Sequence, residues 1–466
     1  MRQPIVSFCA FTLFLFIALT SDAAPSNGPL RVCKENQNYF CDQDGKAILL
    51  TGSHTWYNLV DMGPSDPPPA FDYPQYITWM EELNHNFMRM WAWDLTQWDT
   101  SGNGANNRNE HTRHFVAPLP WLRTGPGEAT DGKPKFDLSK FNPEYFNRLR
   151  ERVAAAGQKG IYVSIMFFEG WGLQHVNQAL DFHPFALNNN INGTNGDTNG
   201  DGKGLEIHEL GNDKVLEIQK AYIREVIDQV NDLDNVLYEI SNENHPPSTE
   251  WQYHLIRFIK QYESTKPVQH PVGMTFQYKG GKNKTLFDSP ADWISPNNDG
   301  GYRDNPPANT GKKVVISDTD HLWGIGGYAS WAWKSACRGL NPIFMDTYDA
   351  VVLGQQPFDE KYAALRRALG DIRKFTARMD LNASKPMNEL SNTGYCLADS
   401  ETRYLVFVPQ DTKNVEVEMP AGEYTVEWLN VETSKIELKD KRLTSNSKMK
   451  IENPVDGPAA LFIEKK

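Results

Sequence analysis

The chain has 466 residues, of which 12% are aromatic, and it carries 13 Trp and a formal charge of −12. An acidic balance without basic blocks argues against nucleic acid or an anionic membrane surface as partners. The length allows one large domain plus a small one, with a core big enough to fold without staples.

Residues 1–24 begin Met1-Arg2, run apolar from about Phe8 to Leu19 and end Ser-Asp-Ala23-Ala24. A basic start, a short apolar core and small residues before the break describe a secretory signal peptide. The apolar run is too short for an ordinary membrane span, and no second one follows. The mature chain is therefore expected to be soluble and exported, extracellular or periplasmic. Cys9 leaves with the leader. Cys33 and Cys41 flank a turn-like stretch and are expected to form a disulfide in an oxidising compartment. Cys337 and Cys396 sit in apolar contexts and read as buried thiols. Asn192, Asn283 and Asn382 open glycosylation sequons.

In chain order, Ala47–Trp56 is an apolar run ending in His54 and Trp56, Tyr73–Leu83 is helical, and Phe87–Leu95 is a strand carrying Arg89, Trp91 and Trp93. Asn142-Pro143 opens a helix through Ala156, with Gly157 after its end. Ile161–Phe168 is the third strand and leads to Glu169 and Trp171. A helix at about Asp213–Asn231 buries Ile223, Val226, Ile227 and Val230. The fourth strand, Val236–Ser241, is followed by a helix at about Thr249–Tyr262. Strands five to eight are Pro271–Phe276, Asp292–Ser295, Lys313–Ser317 and Pro342–Met345, with a helix at about Ala329–Arg338 before the last and one at about Glu360–Met379 after it. Apolar strands alternating with helices imply a parallel sheet, and eight such units imply a closed (β/α)8 TIM barrel over residues 25–385. After Pro386 the pattern changes to short, closely spaced strands (Tyr395–Ala398, Tyr404–Val408, Val415–Met419, Tyr424–Leu429, Lys435–Leu438, Met449–Ile451 and Ala459–Ile463), a small all-β sandwich over 386–466.

Polar and aromatic residues gather at the carboxyl ends of these strands, which form the active-site face of such a barrel. Alternation puts Glu239, Ser241 and Glu243 on one face, with Glu239 deeper and Glu243 at the mouth. A carboxyl group in a partly desolvated mouth has a raised pKa and can protonate a leaving oxygen, and the neighbouring Asn242 can donate to a sugar hydroxyl. Glu239 reads as a buried structural carboxylate paired with Arg89 or another donor. Alternation also puts Ile316, Asp318 and Asp320 on one face of strand seven, so either Asp could oppose Glu243. Glu169 is a further acid or a rim residue. His54, Trp56, Arg89, Trp93, Trp171, His245, His321 and Trp323 are candidates to line a sugar subsite.

Asn86-Phe-Met-Arg89, Asn242-Glu243 and a strand-seven carboxylate together resemble the clan A barrel glycoside hydrolases, a superfamily that includes cellulases and mannanases. The resemblance implies a strand-four Glu as acid/base, an Asn before it on the sugar, and a strand-seven Glu as nucleophile. In this chain Asp318 stands at that last position, one methylene shorter, with Asp320 as competitor. More narrowly, Leu50-Thr-Gly-Ser-His54-Thr-Trp56 and Asn341-Pro-Ile-Phe-Met-Asp346 resemble the apiosidase-like barrels that carry a C-terminal sandwich of the collagen-binding type.

The loop Asn188–Glu209 contains Asp197-Thr-Asn199-Gly-Asp201-Gly202, the first half of an EF-type calcium loop. Its twelfth position is His208, flanked by Glu206 and Glu209. A structural Ca2+ held by Asp197, Asn199 and Asp201 is the expectation, while the chemistry itself requires no cofactor. His-Glu-x-x-His is absent, so a zinc protease is disfavoured, and no glycine-rich phosphate loop follows a strand. The expected function is a secreted, monomeric glycoside hydrolase acting on an oligo- or polysaccharide. The alternative is a catalytically silent carbohydrate-binding barrel.

Overall fold

The computed structural model describes residues 25–99, 113–351 and 357–466; the expected leader lies outside them. The central sheet has eight strands: β1 (Gly52–His54), β2 (Phe87–Met90), β3 (Tyr162–Glu169), β4 (Val236–Asn242), β5 (Val272–Thr275), β6 (Trp293–Ser295), β7 (Val314–Asp318) and β8 (Asn341–Met345). Their order is β1-β8-β7-β6-β5-β4-β3-β2, and every pairing is parallel. The ring closes between its end strands. Asn86 N donates to Thr51 O at 2.9 Å, and Thr51 N donates to Asn86 Oδ1 at 2.9 Å. A Cβ on Gly52 would stand 2.2 Å from Phe87 O, so the approach needs a glycine.

The outer helices include α1 (Tyr73–Glu82), α2 (Pro143–Gln158), α3 (Asp213–Val230), α4 (Thr249–Glu263), α5 (Asn283–Asp288), α6 (Ala329–Cys337) and α7 (Ala363–Thr376). Local chemistry sets their starts. Asn142 caps α2 by accepting from Glu144 N, with Pro143 in the first turn, and Asn212 caps α3 by accepting from Val215 N. Every residue of β4 is buried, because a parallel barrel strand is covered outside by helices and inside by other strands.

Alternation then builds the interior in layers. The floor is apolar and includes Leu50, Phe87, Leu237, Trp293, Ile316 and Ile343, joined by Leu30 and Phe40 from the N-terminal segment. Two residues further along their strands stand Arg89, Glu239 and Asp318, joined by His54 from β1, all fully buried. Trp91, two residues beyond Arg89, forms a small apolar cluster with Met166 and Met345, and Trp56 packs against it.

The C-terminal part is a six-stranded antiparallel sheet with a two-stranded sheet beside it. Its strands are β9 (Ser384–Pro386), β10 (Cys396–Asp399), β11 (Arg403–Val408), β12 (Asn414–Glu418), β13 (Gly422–Asn430), β14 (Ile436–Ser445), β15 (Lys448–Glu452) and β16 (Ala459–Lys465). Alternate residues of the larger sheet face two different cores. Tyr404, Val406, Val408, Leu461 and Ile463 pack toward the small sheet, whereas Leu405, Phe407 and Phe462 join the core of the barrel's outer layer.

The expected TIM barrel plus sandwich is the fold observed. Several bounds differ. Ala47–Ile48 pairs with Phe40–Cys41 as a separate hairpin, so β1 is short. The second strand ends at Met90, five residues before the expected Leu95. The sandwich starts slightly earlier, at Ser384, and Ile436–Ser445 is longer than the expected Lys435–Leu438. Cys33 and Cys41 are joined as a disulfide, and Cys337 and Cys396 are buried free thiols. The side-chain amides of all three sequon asparagines donate to groups within the fold. No helix among the described residues is long and apolar enough to cross a membrane.

Candidate active site

Arg89 organises the layer below the barrel mouth. Its Nε donates to Glu239 Oε2 at 2.9 Å and Nη2 to Glu239 Oε1 at 2.5 Å, a two-pronged pairing. Nη2 also donates to Asn242 Oδ1 (2.7 Å), and Nη1 donates to Asp318 Oδ2 (2.9 Å) and Asp320 Oδ2 (3.3 Å). Burial alone would lower the guanidinium's pKa, but Glu239, Asp318 and Asp320 more than reverse this, so it stays charged. Glu239 is thus the buried partner of Arg89 expected from the sequence.

Asp318 belongs to this layer. His54 meets it from β1: Trp91 Nε1–H donates to His54 Nδ1 at 2.9 Å, which leaves Nε2 as the protonated nitrogen, 2.9 Å from Asp318 Oδ2. Burial would raise the Asp318 carboxyl, yet His54 and then Arg89 hold it well below the usual carboxylate range. Its Oδ1 accepts from Asp320 N at 3.0 Å, so Asp318 is the N-cap of a short helix, Thr319–Trp323. Strict alternation therefore ends at Asp318. The chain turns into a helix there, and Asp320 is lifted out of the ionic layer to the pocket wall, instead of sharing a strand face with Asp318.

The pocket has a volume of about 430 Å³. Glu243, Asp320, Glu169, Asn242 and His321 supply its polar wall. One carboxylate oxygen of Glu243, one of Asp320 and one ring nitrogen of His321 all lie within 4.8 Å of each other. This trio has the donor types of a metal site, but one of its members, Asp320, already has the Arg89 guanidinium against it as a fixed cation.

Glu243 follows the last residue of β4 with φ +44°, a left-handed conformation held by Gln174 Nε2 donating to its carbonyl at 2.7 Å. Its carboxyl is pushed well above the usual range, by burial first and then by Asp320 and Glu169. Burial and Asp318 also raise Asp320. Asp320 touches Arg89 and Glu243 does not, so the pair's proton resides on Glu243. Asn242 spends its oxygen on Arg89 and His321 Nε2 (3.3 Å), which leaves its NH2 group as donor. His321 Nδ1 contacts Ser295 Oγ at 2.7 Å, and burial, then Arg89, lowers its pKa to about 3. Glu169 accepts from Trp171 N (2.8 Å) and Gly172 N (2.6 Å), and burial raises it to about 8 despite those bonds.

Of the residues singled out in the sequence, Trp56, Trp93, Glu169, Trp171, Asn242, Glu243, Asp320, His321 and Trp323 meet at this pocket. His54, Arg89 and Asp318 lie beneath it. His245 points away: its Nε2 pairs with Glu209 Oε1 at 2.8 Å and its Nδ1 contacts Asn244. Asp197, Asn199 and Asp201 lie in a turn outside the pocket. Trp91, Trp98, Phe276, Tyr278 and Arg303 also line it, beside Leu322, Gly324 and Ile325, and were not among the expected subsite residues. Trp98 stacks on Trp93 at 4.9 Å and 11°. Phe276 and Tyr278 were findable, since they follow the carboxyl end of strand five just as Glu243 follows that of strand four. Arg303 comes from a long loop and gives no local signal.

Residues 114–279 match a family model described as Domain of unknown function (DUF6298). No curated protein matches the chain in sequence. Among solved structures, one described as a glycoside hydrolase is similar at TM-score 0.58 and 11% identity, covering 94% of this chain and 97% of that one. A glycoside hydrolase family 5 structure from Bacteroides vulgatus ATCC 8482 is similar at TM-score 0.59 and 10% identity, covering 94% and 93%. At these identities the likeness is one of fold: the chain shares the barrel architecture of these two structures.

Proposed function

We propose that the protein is an exported glycoside hydrolase that cleaves O-glycosidic bonds of an oligo- or polysaccharide with retention at the anomeric carbon. The observation that carries this reading is the Glu243–Asp320 pair, with oxygens within 4.8 Å, in an aromatic-lined pocket at the barrel mouth. Retaining sites separate their carboxyl groups by roughly 5–5.5 Å and inverting ones by roughly 6.5–9.5 Å, and the close approach favours the former.

Glu243 delivers its proton to the glycosidic oxygen as the bond to the anomeric carbon breaks. Asp320, kept anionic by Arg89, attacks that carbon and forms a glycosyl ester. Glu243, now a carboxylate, takes a proton from water; the water oxygen displaces Asp320, and the starting state returns. The Asn242 amide donates to the hydroxyl beside the reacting carbon. The Trp faces bury the apolar C–H edges of the sugar rings. Asp318 serves as the partner that fixes Arg89 and His54. The Cys33–Cys41 disulfide supports an oxidising, extracytoplasmic location, and we expect a monomer.

On an active glycan, Glu243→Gln and Asp320→Asn should each lower kcat by at least about a thousandfold. Near-full activity in either variant overturns the assignment, and loss only in Asp318→Asn moves the nucleophile back to Asp318. Tight glycan binding by the wild-type chain with no product after long incubation would identify a silent binding barrel instead.

A further inference from the structure

Asp197-Thr-Asn199-Gly-Asp201-Gly202 folds as a wound turn. Asp197 Oδ1 accepts from Gly200 N and Asp201 N, Asp197 Oδ2 accepts from Gly202 N, and Asn199 Oδ1 accepts from Asp201 N, at 2.7–3.1 Å. Such a turn is not by itself a site. The observation that points to a ligand is Glu206. Both of its carboxylate oxygens are shut off from solvent and have no hydrogen-bond partner among the described residues. A carboxylate oxygen of Glu206 lies within 4.8 Å of ones from Asp197 and Asp201. A buried, unpaired carboxylate facing two others is strongly unfavourable unless a cation joins them.

We propose that Asp197, Asn199, Asp201 and Glu206 bind one calcium ion. The donors are all oxygen, which selects a hard cation over zinc or copper, and a site built wholly from protein oxygens suits calcium better than magnesium, which keeps several of its waters. The closing ligand differs from the EF-type pattern. His208, at the twelfth position, is packed against Trp251 and Phe168, and Glu209 is engaged by His245. Glu206 closes the site two residues earlier, brought round by Gly204 (φ +67°) and the 3-10 turn Leu205–His208. Lys203 Nζ, 3.4 Å from Asp201 Oδ2, is the resident competitor; it is mostly exposed and free to swing away. Just after Glu206, Glu209 reaches His245, two residues beyond Glu243. The ion would therefore steady the segment that braces the end of β4, a role that does not depend on the glycosidase reading.

The test uses the full chain, stripped with EGTA and titrated with CaCl2 by calorimetry. One ion per chain and a rise in Tm on adding calcium are expected, with MgCl2 weaker. Glu206→Gln should weaken binding at least about tenfold while its Tm in EGTA is no lower than that of the stripped wild type. The exposed Asp201→Asn should weaken binding similarly, and it keeps the test open if the first variant misfolds. Absence of heat and of any Tm change at millimolar calcium overturns the proposal. So does binding that survives both variants but is lost in Glu243→Gln, which would put the ion in the pocket.

Discussion

Arg89 contacts three carboxylates and an amide in a region without solvent, so the charges there depend on one another. Removing one partner of a buried pair commonly costs about 3–5 kcal/mol, because the other charge is left uncompensated. Asp318→Asn should destabilise the fold by about that amount, since it takes away the buried anion that His54 and the Nη1 end of Arg89 share, and His54 has no other carboxylate to turn to among the described residues; thermal melts at neutral pH measure it. Asp320→Asn should leave Tm nearly unchanged, because Glu239 and Asp318 still neutralise Arg89. Glu243 behaves in the opposite sense to an ion-paired carboxylate. Its folded-state pKa is raised, so it costs nothing below about pH 4.3, where the unfolded carboxyl also holds its proton. The cost grows as pH rises from there toward the folded-state pKa. Each tenfold difference in proton affinity is about 1.4 kcal/mol. Glu243→Gln should therefore raise Tm, more at pH 8 than at pH 5, while abolishing turnover. A Tm gain independent of pH would refute a buried proton on Glu243. The sequence allowed the Arg89–Glu239 pair to be read, because both residues sit at strand positions whose facing is set by alternation. It pointed to Asn242 and Glu243 only as the end of a strand; alternation fails there, and the left-handed turn at Glu243 lets both neighbours line the pocket. It left Asp318 and Asp320 undivided, because their difference comes from a capping hydrogen bond that interrupts alternation.

At the scale of elements, the barrel was legible wherever a strand was long and apolar. β3 and β4 were placed to within about a residue at their starts. The short strands were harder. β1 has three residues, and its boundaries are set by pairing with β8 and by side-chain bonds to Asn86, both long-range facts. Hairpins inside the barrel loops, such as Trp121–Glu128 with Pro134–Phe141, went unforeseen because they stand outside the repeating strand–helix pattern of the barrel. Gly52 is where local sequence and closure meet. Gly52→Ala forces a methyl group to 2.2 Å from a backbone oxygen that cannot move without shifting β2. The expected loss is about 3 kcal/mol or more, read as a lower urea midpoint with an unchanged m-value. An unchanged midpoint would mean that β1 and β2 do not close the ring at that residue. Arg89 is only two residues beyond Phe87, so activity should fall with stability in this variant.

Over the whole molecule, the question is whether the sandwich is an appendage or part of the barrel's fold. Composition separated the two near residue 385 but could not show how they meet, since a strand buried on both faces and one buried on a single face differ only in what packs outside them. The alternating split of β11 and β16 between two cores answers it. Phe462 lies 5.8 Å from Phe375 of α7, and Arg378 stacks on Phe462 at 4.0 Å while pairing with Glu427 at 3.1 Å. Phe375 in turn meets Trp333 of α6 at 5.7 Å. An apolar interface of this kind couples unfolding, because neither side can keep its face covered alone. Phe462→Ala should cost about 3–5 kcal/mol as a large-to-small core change, and should lower a single melting transition reported alike by far-UV and near-UV dichroism. Glycan turnover well below that transition should stay near wild type, since Phe462 belongs to the helix-facing layer and does not line the pocket. Two separate transitions, with only one shifted, would show instead that the sandwich folds on its own and that the barrel does not need it. Deleting 384–466 distinguishes the cases a second way: a barrel that depends on its cap should aggregate on expression, with the outer faces of α6 and α7 uncovered.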